Sequence, residues 1–256
     1  MAKLQWDEQG KRLYETGTSK GAVNVRGTDG PVAWNGLTKV TESPEGAEET
    51  ALYADNIKYL SLTSAENFKG TIEAYTYPDE FMAADGSAMI APGVTIGQQT
   101  RKTFDLVYRT EVGNDEDGTD HGYKIHIIYN AKVAPSERAY ETINDSPAAI
   151  TFSWGFTTTP IQVEGFKPTS YFVFDSTKVP AATMKALEDL VYGTDKQEPK
   201  IPTPEEIMEL IKNITTTSTT STSTTSTTST TSTTSTTSTT TSTTSTTTTT
   251  TTQKNV

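Results

Sequence analysis

Four acids crowd one short stretch, Asp115, Glu116, Asp117 and Asp120, and clustered carboxylates are what a hard cation such as calcium takes. No glutamate stands twelfth from any of these aspartates, so the spacing of an EF-hand loop is missing. A solvated hairpin tip accounts for the same residues. The two histidines, His121 and His126, are five apart with no third ligand close in sequence, and neither HExxH nor its inverse occurs. Serines are plentiful, yet no Gly-x-Ser-x-Gly elbow is present, and Gly93-Val94-Thr95-Ile96-Gly97 lacks the lysine of a phosphate-cradling loop. Carboxylate pairs for glycoside chemistry are brought together by a fold rather than by spacing, and nothing here singles one out. The sequence therefore predicts no catalytic residue, no cofactor and no metal.

The elements around these residues read mainly as β. In Phe104–Arg109, Phe104, Leu106 and Tyr108 share one face while Asp105 and Arg109 share the other, which predicts a half-buried strand. Ile125, Ile127 and Tyr129 alternate in the same way, as do Phe152, Trp154 and Phe156. The polar run Gly113–Asp120 between the first two strands predicts a hairpin turn. A tighter hairpin is predicted at Trp34-Asn35-Gly36-Leu37, because Asn-Gly accepts the positive φ angles of a type I′ turn. The acidic stretch Thr41–Thr50, with Pro44 and Gly46, reads as a long exposed loop. Further strands are expected near Lys20–Arg26, Ile57–Thr63, Gly70–Tyr77 and Tyr171–Phe174.

Helical signals fall late. Ala134–Asn144 is read as a short helix with Pro135 in its first turn. Pro180–Tyr192 carries Met184, Leu187 and Val191 at helical spacing, with Gly193 placed to end the helix. Thr203-Pro204-Glu205-Glu206 is a capping box that opens a short helix from Ile207 to Lys212.

Composition bounds the function. Residues 215–252 are all Thr or Ser, so the length able to build a core ends near Ile214, and the tract, with no apolar side chain, is expected to stay disordered. The expected division is a β domain over 1–193, a linker and short helix over 194–214, and the disordered tail over 215–256. With 21 Lys+Arg against 32 Asp+Glu the formal net charge is -11, and no basic cluster is present to neutralise phosphates, which argues against specific nucleic-acid binding. Zero cysteines exclude disulfides and thiolate metal sites. The first residues lack the apolar core of a signal peptide, and no stretch reaches the length of a membrane span, so synthesis in a cytosol and no membrane association are expected.

Several segments together resemble the major tail protein family of siphophages and prophages of Gram-positive bacteria. They are Trp34–Thr38 leading into Thr41–Glu48, Leu52–Leu60, Ile72–Phe81, Gly97–Phe104, Tyr123-Lys124, Pro135-Ser136-Glu137 and Asn144-Asp145-Ser146-Pro147. The resemblance implies a tail-tube-type β-sandwich or barrel with a flanking short helix, and hexameric rings of this chain stacked into a tube. It further implies a tape measure protein inside the tube and initiator and terminator proteins as partners. DNA would pass through without specific binding, in a virion assembled in the host bacterial cytoplasm. An acidic wall that repels phosphate fits such a channel. The surfaces expected to meet neighbouring copies are the turn at Trp34, Asn35, Gly36 and Leu37 and the acidic loop with Ser43, Pro44, Glu45, Gly46, Glu48 and Glu49. The competing reading is a secreted or surface binding module, adhesin-like, with a Thr-rich stalk.

Overall fold

A computed structural model describes residues 3–143, 145 and 148–212. The tract expected to be disordered, 215–256, and most of the Asn144–Pro147 segment lie outside the described residues. The fold is mainly β and antiparallel, as the alternating runs predict.

Seven strands follow one hydrogen-bonded path: β2 (Val32–Trp34), β1 (Tyr14–Val25), β11 (Phe104–Asn114), β12 (Gly118–Val133), β13 (Phe152–Thr158), β8 (Lys69–Ala74) and β3 (Leu37–Glu42). An eighth, β14 (Tyr171–Asp175), pairs with the middle of β12, over Lys124–Ile128. β2 and β3 sit at opposite ends of this path, yet only Asn35 and Gly36 join them, so the sheet must curl until its ends meet. The Asn-Gly turn is therefore real but closes a barrel-like sheet instead of a hairpin. Only Gly36 takes positive φ (78°), which corrects the type I′ expectation. The curl is tight enough that a Cβ on Gly70 would lie 2.2 Å from the Thr41 carbonyl oxygen, so β8 can pass β3 only with glycine there.

The concave face holds one core, with Val23, Trp34, Ile72, Phe104, Leu106, Ile128, Trp154 and Phe156 all buried. Into it the chain inserts a 3-10 turn (Asp79–Phe81) and the single-turn helix α1 (Met82–Asp85). Phe81 is fully buried there, with ring centroids 4.4 Å from Trp34 and 5.3 Å from both Trp154 and Phe104. Asp85 Oδ1 accepts the Trp154 indole N–H at 3.1 Å, which satisfies a donor that burial would otherwise strand.

The convex face carries a second core. Val107, Ile125, Ile127, Tyr129 and Phe174 meet Met184, Leu187 and Val191 of α2 (Ala181–Tyr192). The helical stretch over 204–212 adds Ile207 to the same core, and the polar segment before it adds Ile201. The capping box forms as read: Glu206 N–H donates to Thr203 Oγ1 at 3.3 Å and Thr203 N–H to Glu206 Oε2 at 2.8 Å. Because helices cover this side, β11 and β12 are buried on both faces, which corrects the half-buried expectation: Leu106 and Tyr108 face one core, Val107 the other.

Two further expectations are corrected. Residues 134–143 form no helix. Arg138 pairs with Asp85 and lies 5.6 Å from the Tyr77 and Phe152 ring centroids, which ties that segment to α1 and to the aromatic residues beside it. The acidic stretch 41–50 is not a loop: it is the end of β3, then β4 (Glu45–Gly46) and the start of β5 (Glu49–Ala54).

Candidate assembly surface

β4 and β5 belong to a hairpin that leaves the barrel. β4 pairs with β7 (Glu66–Asn67), and β5 pairs with β6 (Ile57–Thr63). At the tip, Asp55 and Asn56 have φ of 52° and 64°, the two consecutive positive angles of a type I′ turn, a conformation that Asp and Asn tolerate better than most residues. From Glu45 to Asp55 the arm reaches roughly 30 Å at about 3.3 Å per residue.

Its surface is apolar where a solvated hairpin would be polar. Leu52 lies opposite Leu60 and Thr50 opposite Leu62, which places three leucines on one face; the register shift after Leu52 leaves Tyr59 unpaired and brings Ile57, opposite Ala54, onto that same face. Tyr53 is 73% exposed, Tyr59 67% and Ile57 63%. None of these residues joins either core. A second hairpin, β9 (Ala88–Ala91) with β10 (Val94–Ile96), exposes Met89, Ile90, Val94 and Ile96, and the N-terminal segment exposes Leu4 and Trp6. So many large apolar side chains on projecting elements make these elements candidate contact surfaces.

The residues singled out in sequence separate into two groups. Trp34 is 3% exposed; its indole N–H donates to the Thr76 carbonyl at 2.9 Å and its ring packs on Phe81 and Trp154, so it serves the chain's own core. Leu37 packs against that core as well, while Asn35 and Gly36 are exposed. Ser43, Pro44, Glu45, Gly46, Glu48 and Glu49 are all exposed and form the root of the arm. Ser43 N–H donates to the Lys69 carbonyl at 2.8 Å, Glu45 pairs with Lys69, and Glu49 pairs with Lys58 and accepts from the Ser61 hydroxyl. Those two donors, Lys58 first, hold the Glu49 carboxyl below its ordinary range. The tip residues Leu52, Tyr53, Ile57, Tyr59, Leu60 and Leu62 escaped the sequence reading as contacts. Their signal was an Asp-Asn turn flanked by strands apolar on both faces.

The groups with chemical potential sit elsewhere. Asp115 Oδ1 accepts the Gly10 N–H at 3.0 Å, and His121 Nδ1 lies 3.2 Å from Asp117 Oδ2, so the acidic turn is tied to the N-terminal segment. His126 is stacked on Tyr108, with ring centroids 4.5 Å apart, and its Nε2 is 3.0 Å from Thr110 Oγ1. The Tyr108 hydroxyl donates to Glu42, the last residue before the arm. His126 lowers the Glu42 carboxyl below its usual value of 4.5, against the burial that raises it and with help from Tyr108. Among the described residues no three His, Cys, Asp or Glu come together as a metal site, and no helix is long and apolar enough to cross a membrane.

Fold and surface together define a barrel-like β domain with apolar β-hairpins projecting from it. No family model and no curated protein matches the sequence. Among solved structures, a chain of the anti-feeding prophage baseplate, determined by cryo-EM with six-fold symmetry, aligns at 8% identity. That alignment covers 70% of this chain and 100% of the other, with a TM-score of 0.36. A chain of the PVC sheath-tube complex, an extracellular contractile injection system in its extended state, aligns at 13% identity over 61% of this chain and 88% of the other, with a TM-score of 0.28. Both superpose only in part.

Proposed function

We propose that this chain is a structural subunit that self-assembles, and that the assembly is the tail tube of a long-tailed bacteriophage. The observation that carries the first step is the arm over residues 45–67. A two-stranded hairpin is marginal by itself in water, and this one leaves Tyr53, Ile57 and Tyr59 largely in solvent. Neighbouring copies would bury those residues and complete its open strand edges. The second step is supported by the resemblance of the segments around Trp34, Leu52–Leu60 and Ile72–Phe81 to siphophage major tail proteins. A net charge of -11 without a basic cluster suits a channel that lets DNA pass unbound.

In this reading, hexameric rings stack around the tape measure protein between initiator and terminator proteins, in a virion built in the host cytoplasm. The chain has no catalytic role. Sedimentation velocity and negative-stain microscopy across a wide concentration range, with and without the initiator complex, test it: rings or tubes are expected. A protein that stays monomeric under all these conditions rules the reading out.

A further inference from the structure

Beside the root of the arm the surface opens into a groove of about 1310 Å³. One wall is Phe68 with Tyr171 stacked on it at 4.6 Å between centroids. Val163 and Phe166 of the connection between β13 and β14 form a second wall, and Met208 of the 204–212 helix a third. Phe166 is 70% exposed there. Among the described residues the lining includes two charged side chains, Glu66 and Lys167.

We propose that this groove is the receptor for the arm of a second copy, entered by the face that carries Leu52, Leu60 and Leu62. This rests on the assembly reading and names where the arm goes. Charge favours a second copy on this surface: in a chain of net charge -11, two copies meet with least repulsion where both surfaces are close to neutral, and the groove sets Lys167 against Glu66. The leucine face answers that condition: Thr50, Leu52, Ala54, Ile57, Leu60 and Leu62 carry no charge, and the Lys58–Glu49 pair lies with Tyr53 on the opposite face.

Reach points the same way. Ala47, Thr63 and Ser64 at the arm's own root line the groove while the leucines further out do not, and the arm cannot fold back over it without breaking the Ser64 N–H to Glu48 carbonyl bond and the Glu48 N–H to Ser64 hydroxyl bond that hold its direction. The chain's own residues 215–252 are Thr and Ser throughout and have nothing apolar to place there. Arm and groove are different surfaces, so each copy gives one and receives one, a heterologous contact that propagates from subunit to subunit.

The absence of native cysteine makes the contact testable by thiol cross-linking. Leu60→Cys and Phe166→Cys variants would be mixed under assembling conditions and treated with a short bis-maleimide, with Lys185→Cys on the exposed side of α2 replacing Phe166→Cys as the control. A covalent dimer is expected from the first mixture and not from the control. Normal particles without that dimer would overturn the groove assignment while leaving self-assembly intact, whereas absence of particles in the unmodified protein would defeat the assembly reading itself. Two other outcomes also overturn the proposal. One is an intramolecular cross-link in the dilute double variant. The other is a Phe166→Cys thiol that reacts in the unassembled state only after residues 215–256 are removed, which would make the chain's own tail the occupant.

Discussion

Phe81 and Tyr53 show how differently two aromatic residues of this chain are used. Phe81 is 0% exposed, inside a ring of Trp34, Phe104 and Trp154. Phe81→Ala should cost about 3–5 kcal/mol in denaturant unfolding, the lost transfer energy plus the cavity left behind. Tyr53→Ala should change subunit stability by less than about 0.5 kcal/mol and still weaken assembly, read as a higher protein concentration at which particles appear.

Glu42 supplies a pH signature at the same scale. Its carboxyl pKa is depressed in the folded chain, so the stability it contributes is present above the ordinary glutamate value of 4.5 and is lost as pH falls below it. Glu42→Gln should flatten the acid limb of a thermal midpoint against pH profile. An unchanged limb would show that the contact among Glu42, Tyr108 and His126 does not couple to folding.

Among the elements, the arm is separable and the barrel is not. The arm's residues between β4 and β7 contribute to neither core, while Phe68, just past β7, belongs to the concave one. Replacing residues 48–64 with a short Gly-Ser link should therefore leave the circular dichroism of a folded β protein and shift the thermal midpoint by only about 2–4 °C, equivalent to roughly 1 kcal/mol for a domain of this size. Assembly should be abolished. A shortened chain that still builds particles would assign the contacts to the β9–β10 hairpin or the N-terminal segment instead.

At the scale of the whole molecule, charge opposes association and apolar contact favours it. Raising salt from about 0.01 M to about 0.15 M shortens the screening length from roughly 30 Å to about 8 Å. Copies of this acidic chain should then assemble at lower protein concentration, as light scattering or sedimentation would show. Salt that instead dissolves the particles would mean that ion pairs between copies hold them.

Local pattern by itself determined much of this protein. Alternation placed Phe104–Arg109, Lys124–Tyr129 and Phe152–Phe156 in strands, helical spacing placed Met184, Leu187 and Val191 on one buried side of α2, and the Thr203–Glu206 box formed as read, because each depends on neighbours a few residues away. What tertiary structure decided depends on partners far along the chain. The strands flanking Asn35-Gly36 pair with β1 and β8 rather than with each other, since sheet closure outweighs the pairing a short turn suggests. Arg138 is drawn to Asp85, 53 residues away, and the helix expected around it does not form. Local pattern puts Ile57 and Tyr59 in a strand and says nothing of what that strand packs against. Only the path of the arm, out from the barrel and back, places Leu52, Ile57 and Tyr59 outside both cores.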